Sequence, residues 1–155
     1  NSASPYQVGE DVKRLFSTGY APQNTLNLGS SWTFLTRANS DLTAILNYRW
    51  EDRTYHSSGA GPAVPNHEMA SRPSFGLLDG RLSWKTELAH DSRLRVDLWD
   101  KNLTDKEWPL YVIASGSPVP VRDPLTGIVS PAGYSSAPIA WAERRTYGVS
   151  LVYEF

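Results

Sequence analysis

The sequence predicts an all-β protein whose strands form a transmembrane antiparallel β-barrel. Apolar and polar residues alternate along five segments, each about ten residues long, which is the length of a tilted strand that crosses a bilayer. The connections between these segments alternate between short and long, and large aromatic residues gather near the segment ends. Outer-membrane barrels combine short periplasmic turns, long outer loops and aromatic girdles in this way.

The alternation is clearest in residues 147–155, at the end of the chain. Side chains two residues apart in a strand share a face. One face of this segment therefore carries its apolar positions, which are Tyr147, Val149, Leu151, Tyr153 and Phe155. The other face carries Gly148, Ser150 and Glu154, with Val152 as the exception.

Four earlier segments repeat the pattern, at residues 24–34, 42–50, 74–87 and 94–98. Their apolar faces consist, in order, of Leu26, Leu28, Trp32 and Phe34; Leu42, Ala44, Leu46, Tyr48 and Trp50; Leu78, Leu82 and Trp84; and Leu94, Val96 and Leu98. Strict alternation of this kind indicates strands with one apolar face.

The connections have the lengths expected of an outer-membrane barrel. Residues 1–23, 54–73 and, after the segment 102–108, 109 to about 140 are rich in Gly, Pro and polar residues, which predicts loops, whereas 36–41 and 88–92 are short turns. If the last strand ends at the periplasm, every short turn is periplasmic and every long loop is extracellular.

Composition excludes several classes of protein. The 155 residues carry a formal net charge of −1, which gives no basic field for nucleic acid. Cysteine is absent, so thiol catalysis, thiolate metal sites and disulfides are excluded. No apolar run reaches the roughly 18 residues of a transmembrane helix.

No residue pattern predicts catalysis, a metal site or a cofactor. His56, His67 and His90 are scattered along the chain, and no nucleophile has a base beside it. We therefore expect a protein that is not an enzyme. An outer-membrane enzyme that uses carboxylates such as Asp105, Glu107 and Asp123 is the last-ranked alternative.

The aromatic residues of the apolar faces are expected to form two membrane girdles. The predicted girdle residues are Trp32, Phe34, Trp84, Tyr153 and Phe155 at the periplasmic end and Tyr48 and Trp50 at the outer end. Large aromatics also fill soluble cores. A soluble β-sandwich or small β-barrel that binds a ligand in its core is therefore the alternative interpretation.

Three segments together resemble the carboxy-terminal barrel segment of TonB-dependent outer-membrane receptors. They are NLTDKEW at residues 102–108, RRTYGVSLVYEF at 144–155 and FGLLDGRLSW at 75–84. The resemblance covers residues 24–155, and the combination of segments is more specific than any one of them.

The resemblance implies about the last five strands of a 22-stranded barrel that surrounds a plug. Five strands span only about 24 Å, so we expect the chain to be a fragment, with 1–23 as an extracellular loop and 24–155 as the carboxy-terminal part of the barrel. The implied function is uptake of a scarce nutrient, such as an iron–siderophore, cobalamin or a carbohydrate, across the bacterial outer membrane. The implied partners are outer-membrane lipid, the plug and other strands, the energy-coupling TonB protein through the plug, and the barrel-assembly machinery through the last strand; no nucleic acid is expected.

The polar faces and the loops supply the remaining candidates. The polar residues expected to face the lumen, and to pair across strands and with the plug, are Asn47, Arg49, Asp79, Arg81, Lys85, Arg95, Asp97 and Glu154. The exposed loop aromatics expected to stack on a ligand are Tyr111, Tyr134 and Trp141.

One residue departs from the pattern, because Asp100 continues the apolar phase of Leu94, Val96 and Leu98. Either a bulge turns Trp99 outward in its place, or lipid contact has ended by this residue. We favour the second explanation, since the 102–108 motif is expected to begin at the barrel rim.

Overall fold

The computed structural model of the chain describes residues 8–155, except for the side chains of residues 136, 137 and 139. Its strands are β1 Thr25–Arg37, β2 Ser40–Glu51, β3 Thr54–Tyr55, β4 Ser71–Arg72, β5 Phe75–Glu87, β6 Arg93–Lys101, β7 Pro109–Ser117, β8 Val121–Arg122, β9 Val129–Ser130, β10 Gly133–Trp141 and β11 Thr146–Glu154. A short 3-10 helix, His67–Ala70, precedes β4. The predicted all-β class is confirmed, and none of the sheets formed by the described residues closes into a barrel.

The chain divides into two compact units. The sheet unit consists of Asn24–Glu51, Phe75–Glu107 and Ala142–Phe155. The loop unit consists, within the described part of the chain, of residues 8–23, Asp52–Ser74 and Trp108–Trp141. Among the described residues no helix is long and apolar enough to cross a membrane.

The sheet unit is one five-stranded antiparallel sheet in the order β1-β2-β5-β6-β11. These are the five strands that the alternation predicts, and β6 and β11 pair without a register shift from Lys101–Thr146 to Arg93–Glu154. Because neighbours run antiparallel, the chain enters β1, β5 and β11 and leaves β2 and β6 at one end of the sheet. The segments of the loop unit are the connections at that end.

A β-bulge in β1 shifts the predicted phase after Phe34, whose ring lies 5.5 Å from that of Trp32. Thr33 pairs with Thr43 and Leu35 with Leu42, so Phe34 is the extra residue without a partner on β2. Leu35 therefore takes the place in the apolar register that the alternation assigns to Phe34. A bulge shifts the phase by one residue, which a period of two does not reveal.

Two glycines of the sheet lie beneath aromatic rings of the neighbouring strand. A Cβ atom at Gly148 would come within 2.5 Å of the Trp99 ring, and one at Gly76 would come within 2.5 Å of the Tyr48 hydroxyl. A residue larger than glycine at either position would therefore clash with the aromatic ring above it. These contacts fix the two aromatic side chains against the sheet.

The loop unit contains strands that the sequence does not predict. β7 pairs with β10, β3 with β4 and β8 with β9, each as an antiparallel pair. The prediction of a continuous loop from residue 109 to about 140 is therefore wrong for β7 and β10. Pro109, Gly116 and Pro138 lie in these strands, and Gly and Pro are ordinarily signs of a loop.

A small apolar core holds the loop unit together. It consists of the buried residues Ala60, Val64, Ala70 and Tyr134, against which Leu15, Tyr55 and Ala114 pack. Its members come from all three segments of the unit, so the core depends on contacts distant in sequence.

Candidate functional site

The pairing register places the apolar residues of the five strands in continuous rows. One row joins Leu35, Leu42, Trp84, Val96 and Leu151 across all five strands. A second row joins Trp32, Ala44, Leu82, Leu98 and Val149. Because paired residues share a face, the sheet has one continuous apolar face.

This apolar face is exposed. Val149 is 66% exposed, Leu151 is 69% exposed and Leu98 is 50% exposed. Only one cluster of buried hydrophobic residues exists among the described residues, and it lies in the loop unit. Soluble monomers rarely expose a contiguous apolar patch of more than a few hundred Å², so this face is a surface that some apolar phase or partner covers.

The opposite face is polar. The row between the two apolar rows joins Thr33, Thr43, Ser83, Asp97 and Ser150 across the five strands. The hydroxyls of Thr33 and Thr43 are hydrogen bonded at 2.8 Å. All eight residues predicted to face the lumen belong to this face by register.

The charged residues of the polar face pair mainly along a strand, where cross-strand pairs were expected. Arg95 Nε lies 3.3 Å from Asp97 Oδ2, and Arg49 pairs with Glu51. Residues two apart on one strand are neighbours on the same face, so their side chains meet as readily as those of paired strands. Asp97 is buried among its neighbours, and its Oδ1 has no hydrogen-bond partner among the described residues.

The predicted girdle residues descend across the apolar face at a regular angle. Trp32 pairs with Ala44, and Trp84 pairs with Leu42, so Trp84 is two residues lower and two strands further on. Tyr153 is again two residues below Leu151, which lies in the row of Trp84, and again two strands further on. The line of aromatic residues thus moves by one residue, or about 3.3 Å along the strands, for each strand spacing of about 4.8 Å. This line is therefore inclined by about 35° to the perpendicular of the strands. Strands of outer-membrane barrels are tilted by about 35–45°.

At the other end of the face, Tyr48 and Trp50 on β2 and Tyr147 on β11 follow the same direction. Tyr147 and Tyr153 are six residues apart, which is about 20 Å along the strand. Phe155 follows β11 and is fully exposed. The aromatic residues therefore bound an apolar band on both sides.

Two of the segments that carry the resemblance, residues 102–108 and 144–155, are in contact next to the end of β6. We name residues 102–107 the post-β6 turn. Glu107 of this turn pairs with Arg144, and the carboxylate of Asp105 accepts the backbone N–H of Arg145 at 3.1 Å. Leu103 covers Gly80, since a Cβ there would come within 2.8 Å of the leucine methyl group.

Asn102 is the centre of the post-β6 turn. Its backbone N–H donates to Asp79 Oδ1 at 2.9 Å, and its Oδ1 accepts the N–H of Lys106 at 2.8 Å. Its Nδ2 donates to the carbonyl oxygens of Lys106 at 3.0 Å and Glu143 at 3.4 Å. Asn102 has a φ of 56°, a left-handed conformation that asparagine tolerates better than most residues. Asn102 therefore bonds to β5 through its backbone N–H, and its buried side chain joins the turn to the segment that precedes β11.

Asp100 remains in the register of the apolar face. It pairs with Gly80 and Tyr147 with no shift in β6, so the explanation by a bulge is wrong, and Trp99 stays on the polar face, where its Nε1 donates to Ser150 Oγ at 3.2 Å. Arg145 Nε donates to Asp100 Oδ2 at 2.7 Å, and this hydrogen bond and charge raise the pKa of Arg145. The carboxylate at the end of the apolar face is therefore paired.

The three predicted ligand-stacking residues have different surroundings. Tyr111 and Trp141 are exposed, at the start of β7 and the end of β10. Tyr134 is only 7% exposed, belongs to the core of the loop unit, and its hydroxyl lies 3.1 Å from Ser57 Oγ. The premise of an exposed ring is therefore wrong for Tyr134, because its position in the strand pair points it inward.

Sequence reasoning missed a stack of three rings in the loop unit. The His56 ring lies between Tyr20 and Tyr111, with centroid distances of 5.7 Å and 5.3 Å. The three residues come from three segments, and no spacing in the sequence signals their approach.

The turn between β8 and β9 is held by Asp123. Its carboxylate accepts the backbone N–H groups of Leu125 at 2.8 Å and Thr126 at 3.0 Å, and these bonds lower the pKa of Asp123. Among the described residues no group of three or more His, Cys, Asp or Glu side chains is arranged to hold a metal ion. Asp105, Glu107 and Asp123 thus each bond within their own turn or to the start of β11.

The structure defines an all-β chain with one sheet that is apolar on one face and polar on the other. Comparisons of the chain with protein-family models, curated proteins and solved structures find no match. The resemblance to TonB-dependent receptors therefore rests on the sequence motifs alone.

Proposed function

We propose that this chain is the carboxy-terminal wall segment of a TonB-dependent receptor in the bacterial outer membrane, about the last five strands of a 22-stranded barrel. In this role it takes part in active uptake of a scarce nutrient and is not an enzyme. The observation that carries the proposal is the pair of apolar rows that cross all five strands, in which no side chain is buried and six of the ten are exposed. A bilayer covers such a face without a second protein layer.

The two ends of the apolar face support the same proposal. Aromatic residues bound the face along lines inclined by about 35°, close to the strand tilt of outer-membrane barrels. Two charges, Arg37 and Asp100, lie in the apolar register of the five strands, and both are at strand ends; Asp100, near the end of β6, is paired with Arg145. A charge costs little near the membrane interface and about 2–4 kcal/mol at the midplane.

The open edges of the sheet support a place within a larger barrel. β1 and β11 each have one neighbour in the five-stranded sheet, so each offers a row of backbone donors and acceptors to a further strand. We assign these edges to the other strands of the receptor. The polar face then faces the plug, through which the TonB protein supplies energy, and β11 is the strand that the barrel-assembly machinery receives.

Leu151 and Val152 provide the sharpest test. They are adjacent and both apolar, but the register places Leu151 on the apolar face and Val152 on the polar face. The chain lacks cysteine, so a nitroxide label attaches at a single introduced cysteine without other changes. In liposomes, we expect the label at Leu151 to collide with lipid-soluble oxygen and the label at Val152 to collide with a water-soluble nickel chelate.

Equal accessibility at the two positions would refute the proposal. Burial of Leu151 from both collision partners, in a chain that is monomeric and folded in water without detergent, would instead support the soluble ligand-binding module. Hydrophobicity alone cannot produce the expected difference, since both native side chains are aliphatic.

A further inference from the structure

The Tyr20–His56–Tyr111 stack, which we name the ring stack, is built on a framework of backbone hydrogen bonds. The N–H of Tyr20 donates to the carbonyl of Tyr55 at 2.7 Å, and the N–H of His56 donates to the carbonyl of Ala70 at 2.7 Å. The three rings are held by segments that pack around the core of the loop unit. The ring stack is therefore positioned before any ligand arrives.

Tyr20 has an unusual backbone conformation for an aromatic residue. Its φ is 60°, in the left-handed region, where bulky residues are rare. Yet Tyr20 is 65% exposed, so burial of its ring does not account for the strained conformation. Strained residues persist where the surrounding structure holds them, and they cluster at ligand-binding sites.

His56 contributes a hydrogen-bonding nitrogen at the edge of the ring stack. Its Nδ1 lies 3.0 Å from both the backbone N and the carbonyl O of Val112, so the backbone of Val112 engages Nδ1 in either tautomer, and Nε2 can donate in one tautomer and accept in the other. Nε2 has no hydrogen-bond partner among the described residues. The two flanking tyrosines add hydroxyl groups that donate and accept.

We infer that the ring stack is a binding site for a neutral sugar ring. The negatively polarised face of an exposed tyrosine attracts the positively polarised C–H groups on one side of a pyranose. His56 Nε2 and the phenolic hydroxyls then bond to the hydroxyls at the sugar's edge, since a sugar hydroxyl can donate or accept. This inference rests on the proposed function, in which these segments are extracellular, and it selects carbohydrate among the possible nutrients.

Charge favours a sugar over an iron chelate. None of the three rings carries a permanent charge, whereas an anionic chelate needs cationic partners that desolvate with it. A neutral, polyhydroxylated ring is the ligand that such a surface satisfies.

Saturation-transfer NMR on the full chain in lauryldimethylamine oxide tests the inference, since the head group of this detergent contains no sugar. The probes are maltohexaose, cellohexaose and xylohexaose, and the comparison ligand is 2,3-dihydroxybenzoate, an iron-chelating catechol. We expect transfer from the protein to ring C–H protons of at least one of them. The substitution Tyr20→Phe keeps the ring and should retain transfer, whereas Tyr20→Gly should weaken binding at least about tenfold.

The control is Leu125→Ala, which removes a side chain of the same unit that is 94% exposed and should leave binding unchanged. His56→Phe keeps an aromatic ring in the stack but removes the Nε2 hydrogen-bonding group and should weaken binding. No transfer with any of the three sugars, equal binding by Tyr20→Gly and the native chain, or transfer only to 2,3-dihydroxybenzoate would each overturn the inference. The label experiment on Leu151 and Val152 is independent, so the wall function can stand when the sugar site fails.

Discussion

The side chain of Asn102 should be the largest single contributor to the stability of the post-β6 turn. It is only 5% exposed, and it makes hydrogen bonds to both backbone groups of Lys106 and to the carbonyl of Glu143. The substitution Asn102→Ala removes these bonds and leaves the backbone groups of Lys106 without their partner. It also places alanine at a φ of 56°.

The magnitude follows from these two effects. The two short hydrogen bonds to Lys106 contribute about 1 kcal/mol each, or about 2 kcal/mol together. The left-handed conformation costs alanine about 1 kcal/mol. We therefore expect Asn102→Ala to lower the free energy of unfolding by about 3 kcal/mol.

Two further variants separate the effects. Asn102→Gly removes the same hydrogen bonds but adopts positive φ freely, so it should cost about 2 kcal/mol. Asn47→Ala is the matched control, because Asn47 is an exposed asparagine of the same sheet unit, and its substitution should change stability by less than about 0.5 kcal/mol.

The assay is urea unfolding of the chain in detergent micelles, followed by tryptophan fluorescence. A value for Asn102→Ala within about 0.5 kcal/mol of Asn47→Ala would refute the central role of the side chain. Equal values for Asn102→Ala and Asn102→Gly would refute the contribution of the backbone conformation.

Three other predictions concern the sheet end, a glycine and pH. Gly148→Ala should destabilise the sheet by about 1–3 kcal/mol in the same urea assay, because its Cβ would meet the Trp99 ring; a Trp99→Ala background that does not relieve this loss would contradict the explanation. Arg145→Gln and Asp100→Asn should each reduce amide protection at the start of β11, and the double substitution should add little; additive losses would show that the two side chains act separately. Hydrogen bonds from backbone N–H groups lower the pKa of Asp123 from its ordinary 3.8, so the turn between β8 and β9 should persist above pH 3.8 and open as the pH falls through the lowered pKa. Amide chemical shifts of the turn, measured against pH, check this. The same shifts in the Asp123→Asn variant should not respond to pH.

The sequence alone determined which residues of the five long strands share a face. The alternation of side chains is a local property of an extended backbone, so Val149 and Leu151 needed no knowledge of their neighbours to be assigned together. The observed register then joined the apolar phases of all five strands. The pairing of β1 with β2 and of β5 with β6 followed from their short connections, since antiparallel strands joined by a short turn pair with each other.

Only the tertiary structure decided where the residues that depart from the alternation lie, and which strands and contacts the long connections form. The bulge at Phe34 is visible only from the pairing of β1 with β2, and the partner of Asp100 lies 45 residues away. The burial of Tyr134 and the stack of Tyr20 on His56 likewise join segments far apart in the chain. A period of two constrains the side a residue faces within its own strand, but contacts between distant segments are set by packing, which no local pattern encodes.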